Sequence, residues 1–170
     1  DICNNVFKGE LSRGEAKLAV LCALYGVSKR RLSNMLKGNL STSAVIKEIN
    51  QYFGTYSLSR NLNRQVEKSG KIHNFFGREL SVENKAQHVL ISHFLQSTAV
   101  DISLLGFRIL DSELKKECKS YRGLFIVHDA LVIDINEEDY EAMANITSRG
   151  VDIDELGNFP LSVEVISRRE

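Results

Sequence analysis

A single proline, Pro160, and three cysteines are all that 170 residues contain of the two residue types that most constrain a backbone. With so little proline there is no proline-rich linker, and no repeat or low-complexity segment divides the chain. Cys3, Cys22 and Cys118 are odd in number and show neither CxxC nor Cys/His spacing. A disulfide framework and a zinc site are both disfavoured, and buried, reduced thiols are expected. No stretch approaches the ~18 to 20 uncharged apolar residues that a membrane span requires, and the opening DICNNVFKGE has no signal-peptide architecture. A folded, cytoplasmic protein with no membrane partner is expected. Asp rather than Met at position 1 suggests that it belongs to a longer gene product.

Net charge is missing too, since 22 Lys and Arg balance 22 Asp and Glu. Taken alone, that balance argues against a nucleic-acid partner. The distribution argues differently: residues 1 to 80 hold 13 basic and 6 acidic residues, and residues 81 to 170 hold 9 and 16. One half then suits phosphates and the other cations, although two ordinary solvated faces would give the same count.

What is present is 43% apolar residues, enough for one domain or two small ones with a real core. Ser12-Arg13-Gly14-Glu15 fits a capping box, and the apolar run from Leu18 to Leu24 ends at Tyr25-Gly26, so a helix is predicted over 13 to 25. Ser28 caps a short helix to Lys37, stopped by Gly38. Val45, Ile46, Ile49, Tyr52 and Phe53 mark an amphipathic helix broken near Gly54, and Leu58, Leu62 and Val66 continue the pattern to Gly70. An irregular stretch around Phe75-Phe76-Gly77-Arg78 precedes a long helical segment from 83 to about 117. The period then changes. Leu124 to Val127 and Leu131 to Ile135 are β-rich runs separated by His128-Asp129-Ala130, which predicts a hairpin with His-Asp at its tip. Glu137 to Thr147 should be helical, and Leu161 to Ile166 a further strand able to pair with the hairpin. The fold class is α+β, helices first and a small antiparallel sheet last.

Two features bear on chemistry. Arg13, Lys17, Leu21 and Tyr25 are spaced by four, so each lies about 40° round the helix from the last, in one slanted stripe. That face is cationic early and aromatic late. With the partial positive charge of the helix N-terminus it suits a triphosphate, with a sugar or base two turns on; simple solvated charges are the plainer alternative. Asp129, a carboxylate on a rigid turn between apolar strands, suits a hard divalent cation, and an Asx-type turn is its plainer reading.

Together the two features resemble a known family. Arg-x3-Lys-x7-Tyr-Gly at Arg13, Lys17, Tyr25 and Gly26 is similar to motif B of family-A (DNA polymerase I-like) DNA polymerases, and Val-His-Asp-Ala-Leu-Val at 127 to 132 to their motif C. Between them, Leu-Gln-Ser-Thr-Ala-Val-Asp-Ile at 95 to 102 resembles the family's Gln-Gly-Thr-Ala-Ala-Asp-Ile segment, and Gly77-Arg78 stands where a Gly-Arg pair is expected. Asp1-Ile2 resembles the end of the segment after motif A, and the run from Pro160 resembles the last palm strand. The likeness covers essentially the whole chain.

The resemblance implies fingers over residues 1 to 72 and C-terminal palm over 73 to 170. It implies that Arg13 and Lys17 bind the phosphates of a dNTP, with Lys17 assisting pyrophosphate departure, and that Leu21, Tyr25 and Gly26 line the sugar and templating position. Arg78, Gln96 and His128 would touch primer-template DNA. Asp129 would bind Mg²⁺ in a two-metal site that transfers dNMP to a primer 3′-hydroxyl. Departures count equally. Leu21 replaces an aromatic, Ala130 a glutamate, Ser92 an asparagine, Gln87-His88 a Glu-Arg pair, and Glu79-Leu80 lacks a second arginine. These mark a divergent branch, most similar in wording to phage-type members. Motif A is not found in these residues, so the chain is expected to be inactive without a partner segment that supplies it, in cis or as a second chain. A single-subunit RNA polymerase and a non-catalytic DNA-binding module remain as alternatives; the Gln-Ser-Thr-Ala segment disfavours the first, and retention of Arg13, Lys17 and Asp129 together disfavours the second.

Overall fold

The computed structural model describes residues 7, 9, 11–26, 29–35, 41–83 and 86–166. The first helix, α1 (Arg13–Tyr25), has both halves of the expected capping box: Ser12 Oγ accepts from the Glu15 N–H at 3.3 Å, and Glu15 Oε2 accepts from the Ser12 N–H at 3.0 Å. It stops at Gly26, whose φ of 74° is left-handed and whose N–H reaches the Cys22 carbonyl. Then come α2 (Lys29–Met35), α3 (Thr42–Tyr52) and α4 (Thr55–Ser69). The expected cap at Ser28 and stop at Gly38 lie outside the described residues, whereas the breaks at Gly54 and Gly70 stand where the pattern put them.

Residues 71 to 81, expected to be irregular, instead form a short antiparallel hairpin, β1 (Lys71–His73) with β2 (Glu79–Ser81), registered through Ile72 and Leu80. Three-residue strands carry too little alternation to show as a period. The Gln65 side chain accepts from the His73 N–H at 2.8 Å, and Lys71 pairs with Glu79 at 2.6 Å. The long helix, α5 (Gln87–Glu117), begins later than the expected 83.

Next, β3 (Arg122–Val127) and β4 (Ala130–Asp134) form the predicted hairpin, with one correction: Ala130 is no part of the turn, because it pairs with Val127. A 3₁₀ turn (Glu137–Asp139) leads into α6 (Tyr140–Ser148). The strand expected over 161 to 166 is not formed. A separate hairpin, β5 (Val151–Ile153) with β6 (Gly157–Phe159), stands just before it, and the alternation of Leu161, Val163 and Val165 finds no ladder partner among the described residues. β-propensity measures fit to a neighbouring strand, and without one no strand forms. The sheet is thus three two-stranded pieces.

The chain divides by packing into residues 1 to 98 and 99 to 170. In the first unit Ala16, Ala19 and Cys22 of α1 pack with Leu32, Val45 and Ile49, while Leu62 and Val66 of α4 pack with Ile72, Val82, Leu90 and Ile91. In the second, Leu110, Leu114 and Cys118 pack with Met143, Ile146, Val151 and Ile153. Cys22 and Cys118 are buried and form no disulfide among the described residues; Cys3 lies outside them. α5 qualifies one earlier expectation, since its most apolar 18-residue window reaches a mean hydropathy of 1.3 and passes a length-and-composition test for a membrane span. Soluble helices pass the same test, and here Leu90 and Ile91 serve one protein core and Leu110 and Leu114 another.

Candidate functional site

The candidate residues fall into three groups, each set by its own element. The first is the stripe on α1. Because Ala16, Ala19 and Cys22 turn one face inward, Arg13, Lys17 and Leu21 are left exposed and Tyr25 half-buried on the other. Arg13 opens the helix, so its guanidinium stands at the positive end of the macrodipole, and Tyr25 closes it about 18 Å further along the axis. Neither Arg13 nor Lys17 forms an ion pair among the described residues, leaving two cations for an external anion. Leu21 is 38% exposed, an apolar step between cation and phenol.

At the end of the stripe Gly26 does more than stop the helix. A β-carbon there would lie 2.5 Å from Cγ of His88, so the imidazole rests directly on the glycine. The Tyr25–Gly26 corner is therefore seated on the first turn of α5. Sequence reasoning noted His88 only as a departure. Its contact with Gly26 spans 62 positions and leaves no mark on local pattern.

The second group is Arg78 with Gln96. Asn74 is buried, and its Oδ1 accepts from the N–H groups of Phe76 (3.0 Å) and Arg78 (2.9 Å), which fixes the turn between β1 and β2. The Arg78 Nη2 then donates to the Ser97 carbonyl at 3.1 Å. Ser97 follows Gln96, whose side chain is exposed on α5, so the arginine is anchored one residue along the helix from that amide.

The third is the turn of the β3–β4 hairpin. His128 and Asp129 alone fill it, both exposed, with His128 at φ 52° in a conformation that non-glycine residues seldom adopt. A two-residue turn fixes the backbone that carries Asp129. The foot of the hairpin is tied by groups that sequence reasoning missed. Asp139 Oδ2 accepts from the Ser120 N–H and hydroxyl at 2.7 and 2.6 Å, and Ser120 Oγ accepts from the Asn136 N–H at 2.8 Å. The Ser120 hydroxyl bond holds the Asp139 carboxyl below its ordinary range. Beside it, Tyr121 donates to Asp111 at 2.7 Å and Lys115 to the other oxygen at 2.6 Å. Those two bonds lower the Asp111 carboxyl, Lys115 first, while burial and then Asp111 push the Tyr121 phenol far up. Among the described residues no three His, Cys, Asp or Glu side chains gather to hold a metal. Asp129 thus offers one hard oxygen donor of the several that Mg²⁺ takes.

The family model described as DNA polymerase family A matches residues 5–169, and the chain belongs to that family. Among its relatives, DNA polymerase I of Deinococcus radiodurans is 31% identical over 167 residues, covering 90% of this chain and 17% of that protein. In fold, the chain is similar to the POL domain of Pol1 from M. smegmatis, solved in complex with DNA primer-template and dNTP, with a TM-score of 0.61 at 22% identity over 85% of this chain and 29% of that one. The chain therefore spans under a third of the length of each of these proteins.

Proposed function

We propose that this chain supplies the fingers (residues 1 to 72) and the C-terminal palm (73 to 170) of a DNA-directed DNA polymerase of phage type, acting in the cytoplasm of a bacterial or phage-infected cell during DNA replication. The observation that carries the proposal is the stripe of Arg13, Lys17, Leu21 and Tyr25 along one capped helix, its two cations exposed and without an ion pair among the described residues, in a chain of this family. Arg13 and Lys17 draw in the triphosphate of a dNTP, with the helix terminus adding its own field. Lys17 also neutralises the pyrophosphate as it departs. Leu21 and Tyr25 meet the sugar and templating position, where Gly26 lets His88 approach. Arg78, Gln96 and His128 hold primer-template DNA.

Asp129 would present its carboxylate to Mg²⁺, whose bound ions supply Lewis-acid stabilisation of the attacking and leaving oxygens. One carboxylate is not enough for a pair of ions. The second comes from a motif A segment that these residues do not include, so we expect the chain by itself not to extend a primer. The partner segment, with the thumb and the rest of the palm, acts in cis or as a second chain.

The test is primer extension with Mg²⁺ and dNTPs by this chain mixed with a separately expressed upstream fragment ending in motif A, alongside Asp129→Asn. Extension that is lost in the variant is the expected result. Demonstrated association of the two pieces with no extension would favour a degenerate, non-catalytic DNA-binding module, a reading to which Ala130, standing where a second acidic residue is usual, lends support.

A further inference from the structure

We propose that the Phe75–Phe76 tip of the β1–β2 hairpin is a stacking platform for unpaired bases of DNA, distinct from the α1 stripe and the His128–Asp129 turn. The inference rests on the reading of the chain as a DNA polymerase segment.

The observation is an apolar pair displayed by a turn that has no need to display it. Phe75 is 60% and Phe76 40% exposed, their rings edge to face with centroids 5.2 Å apart and planes at 84°. The turn beneath them is internally satisfied. Asn74 N–H donates to the Arg78 carbonyl and Gly77 N–H to the Asn74 carbonyl, each at 3.0 Å, while Asn74 Oδ1 takes the N–H groups of Phe76 and Arg78. The tip is also pinned to α5: the Phe75 N–H donates to Thr98 Oγ at 3.3 Å, that hydroxyl donates to the Phe94 carbonyl at 2.7 Å, and Arg78 reaches the Ser97 carbonyl. A turn with its polar groups used inward and two phenyl rings held outward loses little freedom on docking a flat partner.

The chemistry of that partner follows from the neighbours. Arg78 is part of the turn, and Gln96 precedes the two residues that pin it, so one proposed DNA contact lies in the turn itself and the other next in sequence to its anchors. The excess of basic residues in the first 80 positions adds attraction for a phosphate backbone. Every base has a face on which an aromatic ring stacks, but in a duplex those faces are already covered. Unpaired bases are therefore the occupant that uses rings and cations together. An internal comparison exists at the α3–α4 corner, where Tyr52 and Phe53 form a similar edge-to-face pair at 5.1 Å and are about as exposed, with no hydrogen bond among the described residues fastening them to another element.

The test uses the full-length polymerase that contains this chain and measures anisotropy of a labelled hairpin primer-template with a single-stranded 5′ overhang, and of the same hairpin with a blunt end. The double variant Phe75→Ala/Phe76→Ala should weaken overhang binding about tenfold or more and leave blunt-end binding unchanged. Phe75→Tyr/Phe76→Tyr should restore it, Phe53→Ala should have no effect, and the melting temperature should not move, because the rings are exposed. Overhang binding unchanged in the double variant overturns the proposal while leaving the polymerase reading intact. Equal weakening on both DNAs, or the same effect from Phe53→Ala, overturns it as well. A wild-type protein that binds neither DNA overturns both readings.

Discussion

Single residues carry the most definite consequences. Gly26 is fixed twice, by its left-handed φ and by the imidazole of His88 against its α-carbon. Gly26→Ala should cost about 1 kcal/mol from the backbone alone and more from displacing His88, read as a fall in unfolding midpoint. In a His88→Ala background the clash with the ring should go, while the clash with the β-carbon of residue 88, at 2.7 Å, and the backbone part remain. Half of this was legible in the sequence: Tyr25-Gly26 after an apolar run names a helix stop, but nothing local foretells which side chain will rest on the glycine. Arg13, Lys17 and Asp129 were legible for the opposite reason. Their arrangement depends on periodicity and on a turn, both of which are local.

Among the elements, helices announced themselves and short strands did not. α1 begins at a capping box and α1 and α4 end at glycines, and Ser12→Ala should cost about 1 kcal/mol through loss of the Ser12 Oγ bonds to the Glu15 N–H and carboxylate, the bond from the Ser12 backbone N–H remaining. The β1–β2 hairpin was invisible because its strands are three residues long, and the expected strand at 161 to 166 failed because propensity cannot supply a partner. The β3–β4 hairpin was legible in its strands but not in its fastenings. Asp139 holds its foot through Ser120, with a carboxyl lowered from the usual 3.8. A carboxyl depressed on folding contributes stability above its unfolded pKa and loses it as pH falls through the folded one. Asp139→Asn should therefore destabilise the protein at pH 7, and the gap to wild type should close below about pH 4, as followed by thermal unfolding across that range.

For the whole molecule, separate cores and opposed charge are the governing facts. Leu114 is fully buried in the core of the second unit, and Leu114→Ala should cost about 2 to 5 kcal/mol in chemical denaturation. On the proposed function, the basic bias of residues 1 to 80 predicts that affinity for DNA falls steeply with salt; a titration at two ionic strengths that showed no such slope would remove phosphate contact as the driving term. The α+β class was legible because helical and strand periods occupy different parts of the chain. The division near residue 98 was not, since it falls inside one uninterrupted helix that no composition change marks.

The turn at His128 sets a trap for anyone who would make the protein hardier. A survey for improvable positions would find an L-residue at φ 52° in a two-residue hairpin, where glycine is the customary choice, and would recommend the exchange. His128→Gly should indeed raise the melting temperature, by relieving roughly 1 kcal/mol of backbone strain. If the turn serves as proposed, heat tolerance gained at this position would come out of the site itself, where a mobile glycine would replace the imidazole beside Asp129, and a stability screen run without an activity assay would select the wrong molecule.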